Sequence, residues 1–231
     1  MKLLLASTSR LYGQGYLEYL REELKDFFNN GKKIIFVPYA RPGGISWDDY
    51  TDVARKGFEP LAISVIGIHE LQSPKNEISD ADGIFIGGGN TFVLLKTLYD
   101  TGHFDVIASA VRAGLPYMGS SAGSNVAGLT IGTTNDMPIV YPPSFQAFGF
   151  VSFNINPHYL DPQLDSTHMG ETREQRILEF HQFNTQPVIG LREGSWLRIE
   201  GKKVDLRGSL TARIFQKDQP AIEHPPGELL F

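Results

Sequence analysis

The chain has 231 residues, of which 41% are apolar and 20% charged, and its formal net charge is -5. Such a length can bury a sizeable α/β core, and the mild acidity leaves no basic footprint for nucleic acid. There is no cysteine, which excludes disulfides, thiolate zinc sites and a cysteine nucleophile and fits a reducing compartment.

Lys2–Ala6 is a candidate first strand. Its apolar run is too short for a signal sequence, and no stretch approaches the roughly 20 apolar residues of a membrane span. The expected location is therefore cytoplasmic. Tyr16–Phe28 carries apolar residues at helical spacing. Lys33–Pro38 is a second strand, rich in β-branched residues. Ser46 followed by Asp49 resembles a capping box that opens a helix through Phe58. Ile63–Ile68 and Gly83–Gly87 are the third and fourth strands. Asn90–Tyr99 and Phe104–Arg112 follow as helices, then Leu115–Gly119 as a fifth strand and a helix starting at Ala122. Near-continuous apolar strands alternating with helices predict an α/β fold, with a mostly parallel sheet flanked by helices on both faces.

Beyond residue 130 the pattern changes. Val151–Asn156 and Val188–Leu191 are expected strands, separated by a helix over Glu171–Phe183. Trp196–Leu206 is an expected hairpin with Gly201 at its turn. The tail carries Pro220, Pro225, Pro226 and Gly227 and is expected to pack loosely. Neither an internal repeat nor a long linker is evident, so a single domain over 1–231 is expected.

Gly119-Ser120-Ser121-Ala122-Gly123 matches G-x-S-x-G, the nucleophile elbow. A tight strand-to-helix turn needs small residues on both sides of the serine. The apolar run before it and the helix start after it supply the required setting. A plain glycine-rich turn is the alternative. Gly87-Gly88-Gly89-Asn90 follows the strand GIFI directly, and bare N–H groups there suit half of an oxyanion hole, Gly89 joined by Ala122. A tight turn explains the same residues equally well. No G-x-x-x-x-G-K-[ST] is present, which excludes a P-loop.

A serine nucleophile needs a base. His158 lies at the end of a predicted strand, where open α/β sheets place functional groups. His69 also ends a strand and is its main rival. His181, within a helix, and His224, in the tail, are expected to be surface residues. For the acid that orients the base, Glu193 follows the strand VIGL and precedes a glycine; Asp136, in an irregular stretch, is the rival.

These segments together resemble the peptidase E, or α-aspartyl dipeptidase, family. The resemblance covers nearly the whole chain: WDDYTD at Trp47–Asp52, GGGNTF at Gly87–Phe92, GSSAGSN at Gly119–Asn125, TTNDMPIV at Thr133–Val140, NPH at Asn156–His158, GETREQRI at Gly170–Ile177 and EGSW at Glu193–Trp196. It implies a fold similar to class I glutamine amidotransferases, and a triad in the order Ser121, His158, Glu193. Ordinary α/β hydrolases use the order Ser–Asp/Glu–His. It also implies dipeptide substrates with a free N-terminus and aspartate first, no metal or organic cofactor, and Arg173 as the group that binds the substrate's aspartate. Asn90 and Asp136 fall in matching motifs as further substrate-site candidates. Ser120 stands where some members carry a bulky aromatic, which places two hydroxyls side by side at the elbow.

The expected partner is thus a small dipeptide, with neither nucleic acid nor membrane, and the protein acts as a monomer or homodimer. Three rival readings are a cyanophycinase-like or β-aspartyl peptidase, a non-catalytic member that binds an acidic ligand or a partner, and an esterase with the ordinary α/β-hydrolase arrangement.

Overall fold

The computed structural model describes residues 1–29, 31–162, 167 and 169–229. Twelve strands lie in two sheets among these residues. The first sheet is built around β1 (Lys2–Ala6), β2 (Lys33–Val37), β3 (Ser64–Gly67), β4 (Gly83–Ile86) and β5 (Tyr117–Ser120), all parallel, in the spatial order β1-β5-β4-β2-β3. The second contains the parallel pair β6 (Asn154–Pro157) and β7 (Val188–Leu191). The α/β fold expected from the strand pattern is therefore present, with the chain's late segments forming a sheet of their own.

The parallel strands are apolar throughout because both of their faces are covered. Leu3, Leu5, Ile35, Ile84 and Ile86 face one core; Leu4, Ala6, Ile34, Phe36 and Phe85 face the other. On the second face lie α1 (Arg21–Phe28) and α2 (Trp47–Phe58), which contribute Phe27, Tyr50 and Phe58. The first face is covered by α3 (Pro74–Ser79), α4 (Thr91–Asp100), α5 (His103–Arg112) and the four-residue α6 (Ala122–Asn125), together with Ile155 of β6 and Ile189 of β7. The second sheet thus shares a core with the first. Ser46 caps α2 as its sequence suggests, accepting from the Asp49 N–H at 3.0 Å. A last helix, α7 (Arg173–Phe183), carries a capping box between Thr172 and Gln175.

Three expectations need correction. The helix expected from Tyr16 begins at Arg21, because Leu17 adopts a left-handed φ of 58° and donates its N–H to the Ser9 carbonyl. A 3₁₀ turn at Glu18–Leu20 bridges the two.

The tail is not loose. The hairpin β8 (Trp196–Glu200) and β9 (Lys203–Arg207), turning at Gly201, extends the first sheet antiparallel to β1. β10 (Ala212–Phe215) joins β7, β11 (Ile222–His224) joins β10, and β12 (Gly227–Leu229) joins β9. The tail thus closes one edge of each sheet; Pro220 falls in the turn between β10 and β11, and Pro225 and Pro226 in the turn between β11 and β12.

His181 is buried rather than on the surface; its Nε2 contacts the Gln186 carbonyl at 2.9 Å. Among the described residues, no helix is long and apolar enough to cross a membrane.

Candidate active site

The ends of β1, β5, β4 and β2 form one edge of the parallel sheet, where such folds place ligands. Ser121 follows β5 directly, with φ 53° and ψ -112°, and α6 begins at the next residue. A non-glycine residue in this region is strained, and such strain is usually kept where it serves function. The flanking glycines are needed for space. A Cβ on Gly119 would lie 2.4 Å from the Gly123 carbonyl oxygen, and one on Gly123 would lie 2.1 Å from that of Ile86. The Ser121 N–H donates to the Ala6 carbonyl at 3.0 Å, tying the elbow to β1.

His158 follows β6 and is likewise at positive φ, 54°. Its Nε2 lies 2.8 Å from Ser121 Oγ, and its Nδ1 lies 2.6 Å from Glu193 Oε1. The register explains the second contact: β6 and β7 run parallel with Pro157 opposite Leu191, so the residues just beyond each strand end come together. Ser7 joins the two sheets at this point. It is fully buried, accepts the His158 N–H at 2.9 Å and donates to the Leu191 carbonyl at 2.7 Å.

Gly88 and Gly89 stand beside the serine. A Cβ on Gly88 would come within 3.0 Å of Ser121 Cβ, and Gly89 is held at φ 145° against Ala40. The Gly88 carbonyl is tied back by the Tyr50 hydroxyl at 3.0 Å. The N–H groups of Gly89 and Ala122 make no hydrogen bond among the described residues, so both remain available to an incoming oxyanion. Ser120 Oγ is buried and unpartnered, whereas His158 contacts Ser121, so the two hydroxyls are distinguished by geometry.

The other candidates separate clearly. Asp136 does not touch His158. Its Oδ2 accepts from the Thr91 N–H at 2.7 Å and from the Thr91 hydroxyl at 2.6 Å, at the start of α4. Asp136 nevertheless lines the same cleft as Ser121 and His158, a hollow of about 690 Å³, within the range of roughly 300–1,000 Å³ usual for small-molecule sites. Asn90 is not among the lining residues. Its amide caps α4 through Val93 and donates to the Met137 carbonyl, so both ends are occupied.

Arg173 is also outside the lining, and its guanidinium makes no ion pair or hydrogen bond among the described residues. Its neighbour Glu174 pairs instead with Arg213 at 3.1 Å. Burial and then Arg176 lower the Arg173 pKa, while the negative charge of Asp136 opposes them; the guanidinium stays charged throughout. His69, the rival base, is held by Asp48 at 2.9 Å and does not line the cleft.

Sequence reasoning missed Ser7, Tyr50 and two cationic lining residues, Arg10 and Arg41. Tyr50 lies in the WDDYTD segment, to which no chemistry was assigned, and the other three sit in no motif. For Ser7, Arg10 and Arg41 the available signal was their position in the loops that leave β1 and β2.

A strained serine at a strand–helix elbow, followed in hydrogen-bonded series by an imidazole and a carboxylate, defines the class: a serine-type hydrolase built on an α/β sheet. Residues 3–207 match the model of peptidase family S51, and the chain belongs to that family. It is 50% identical to a protein named peptidase E from Streptomyces coelicolor (strain ATCC BAA-471 / A3(2) / M145), over 94% of this chain and 88% of that one. A Drosophila melanogaster protein named "Probable alpha-aspartyl dipeptidase" is 48% identical over 97% and 93% of the two chains. The solved structure of a peptidase from an acI-B1 Actinobacterium shares the fold, with a TM-score of 0.72 over 100% of this chain and 96% of the other at 19% identity.

Proposed function

We propose that the chain is a dipeptidase that removes an N-terminal aspartate from Asp-X, using Ser121, His158 and Glu193. The observation that carries the mechanism is the series of contacts at 2.8 and 2.6 Å through the two nitrogens of one imidazole. His158 Nε2 takes the proton from Ser121 as Oγ attacks the peptide carbonyl. Glu193 holds the imidazole in the tautomer with the proton on Nδ1 and stabilises the imidazolium that forms. The Gly89 and Ala122 N–H groups receive the oxyanion, a contribution of about 3 kcal/mol per donor in comparable sites. His158 then passes its proton to the leaving amine, and water, activated by the same imidazole, hydrolyses the aspartyl-enzyme.

Arg173 provides a fork for the aspartate side chain of the substrate. Asp136, a lining residue whose Oδ1 is not engaged among the described residues, faces the substrate's ammonium. The relatives' names support this substrate class.

The test is hydrolysis of Asp-Leu beside β-Asp-Leu, Glu-Leu and N-acetyl-Asp-Leu. Asp-Leu is expected to be cleaved at least a hundredfold faster than each of the others. A preference for β-Asp-Leu would move the chain to the isopeptide reading, and inactivity on all four would remove the peptidase assignment.

A further inference from the structure

We propose that Arg10 and Arg41, with the hydroxyl of Tyr16, form a subsite for the free α-carboxylate of the residue that leaves. The subsite would restrict the enzyme to dipeptides. The inference rests on the Asp-X peptidase reading and adds to it the recognition of the second residue.

The first support is placement. Arg10 lies in the loop after β1 and Arg41 in the loop after β2. In the sheet these strands flank β5 and β4, whose ends carry Ser121 and Gly88–Gly89. Both arginines and Tyr16 line the cleft that contains Ser121 and His158.

The second support is unused bonding capacity. Among the described residues, neither guanidinium makes an ion pair or a side-chain hydrogen bond. Arg41 sits over the Tyr50 ring at 5.2 Å, so it is seated without spending any N–H donor. That ring is itself fixed, since its hydroxyl donates to the Gly88 carbonyl. The Tyr16 hydroxyl is buried, with Tyr50 and Ser9 as its polar neighbours, and it makes no well-formed hydrogen bond to either. Burial and then Tyr50 hold its pKa well above the ordinary value, against the opposing field of Arg41, so it remains a protonated donor. Two guanidiniums and a hydroxyl are a donor set suited to a carboxylate.

The third support is charge matching. The aspartyl half of the substrate brings an ammonium and a carboxylate, which Asp136 and Arg173 answer. Apart from Asp136, the charged residues that line the cleft, Arg10 and Arg41, are both positive, whereas Arg173 stands outside the lining. An adjoining hollow of about 300 Å³ shares Arg10 and Tyr16 and adds Arg21 and Lys56; its one acid, Glu18, is tied to the Gly15 N–H at 2.6 Å. The leaving side therefore carries a net positive charge. A dipeptide presents a carboxylate there. A longer or amidated peptide presents a neutral amide there, which forgoes the charge-assisted bonds that a carboxylate makes to the two guanidiniums.

The experiment measures kcat/KM for Asp-Leu, Asp-Leu amide, Asp-Leu-Gly and Asn-Leu in the wild type, Arg10→Met, Arg41→Met and the double variant. Both arginines are exposed and unpaired, so the variants should fold; unchanged melting curves check this. The wild type should favour Asp-Leu over its amide at least tenfold. Each single variant should narrow that ratio, mainly through KM, and the double variant should bring it within threefold of one. The Asp-Leu to Asn-Leu ratio should be kept throughout. A wild-type amide ratio near one, or an unchanged ratio in the double variant, would overturn the subsite. Collapse of the Asp-to-Asn ratio instead would assign these arginines to the aspartate side chain and overturn it as well. A wild type inactive on every peptide would bring down the peptidase reading itself, and the subsite with it.

Discussion

Glu193 differs from the buried acid of many triads in that its side chain is 51% exposed and that of His158 is 38% exposed. The consequence is quantitative. At the 2.6 Å separation of Oε1 and Nδ1, a unit charge pair is worth about 6 kcal/mol at an effective dielectric of 20 and about 2 kcal/mol in water. Half-exposure places the pair near the lower end once solvent screening is allowed for. The imidazolium forms only on the way to the transition state, so about 2–3 kcal/mol of differential stabilisation is at stake. That converts to roughly a 30- to 150-fold loss of kcat on removing the charge. Glu193→Gln should fall in this range. Its amide oxygen can still accept from Nδ1–H while its NH₂ group turns to solvent, so the wrong tautomer is not enforced. Glu193→Ala, with water in place of the carboxylate, should be similar or a little worse. The assay is steady-state hydrolysis of Asp-Leu by both variants with folding checked by thermal melting. A loss of less than threefold would show that Glu193 does not act on His158 in catalysis. A loss of 10⁴ or more, the scale of a buried triad acid, would refute the argument from exposure.

Ser121→Gly should be inactive yet more stable, because release of φ 53° removes strain of about 1–3 kcal/mol; a lower melting temperature would contradict it. Gly88→Ala should lower kcat at least tenfold with little change in melting, since the new methyl crowds Ser121 at 3.0 Å without positive-φ strain. Gly89→Ala, 2.2 Å from the Ala40 oxygen at φ 145°, should cost about 2–4 kcal/mol of stability, and the reverse order would refute the packing argument. Arg173→Met should reduce the Asp-Leu to Asn-Leu preference at least tenfold, about 1.4 kcal/mol, with Arg173→Lys in between. An unchanged ratio would return Arg173 to an ordinary helix-surface role. Glu223 is held down to about 2, chiefly by its bonds to Arg192. Its contribution is therefore complete above the ordinary carboxylate pKa of about 4.3 and is lost as pH falls toward 2. Glu223→Gln should cost about 1 kcal/mol near neutrality after screening of this 39% exposed side chain. The melting gap from wild type should close between pH 4.5 and 2; a gap constant across that range would refute the linkage.

The parallel strands were legible because burial on two faces writes an unbroken apolar run, and the elbow because its sterics allow only small residues around Ser121. His158 and Glu193 were legible as polar residues just beyond predicted strands. Where the sequence misled, the cause was non-local. β11 and β12 are three-residue strands with mostly exposed side chains, stabilised by pairing with β10 and β9, so no periodicity announces them. Leu17 suits a helix by composition, but its N–H is taken by the Ser9 carbonyl in a left-handed turn. His181 and Phe183 show the same limit from both sides. The histidine is buried through its bond to Gln186, while the phenylalanine two residues on is 92% exposed.

Ser7 accounts for how the proposed triad, divided between two sheets, keeps its register. The nucleophile belongs to the first sheet through β5, whereas base and acid leave adjacent strands of the second. Contacts near 2.7 Å tolerate little sliding of one sheet against the other, and the shared apolar core is non-directional and does not set position to that accuracy. Directional bonds at the junction do. The Ala6 carbonyl at the end of β1 receives both the Ser121 N–H and the Ser124 hydroxyl. The next residue, Ser7, accepts the His158 N–H through its hydroxyl and donates a hydrogen bond to the Leu191 carbonyl, two residues before Glu193. Its own N–H donates to the Ser195 carbonyl, two residues after Glu193. One dipeptide at the end of β1 thus holds the backbone at or beside Ser121, His158 and Glu193. The strained φ values at Ser121 and His158 are sustained at the same junction, where the surrounding bonds over-determine the backbone and leave it no relaxed alternative.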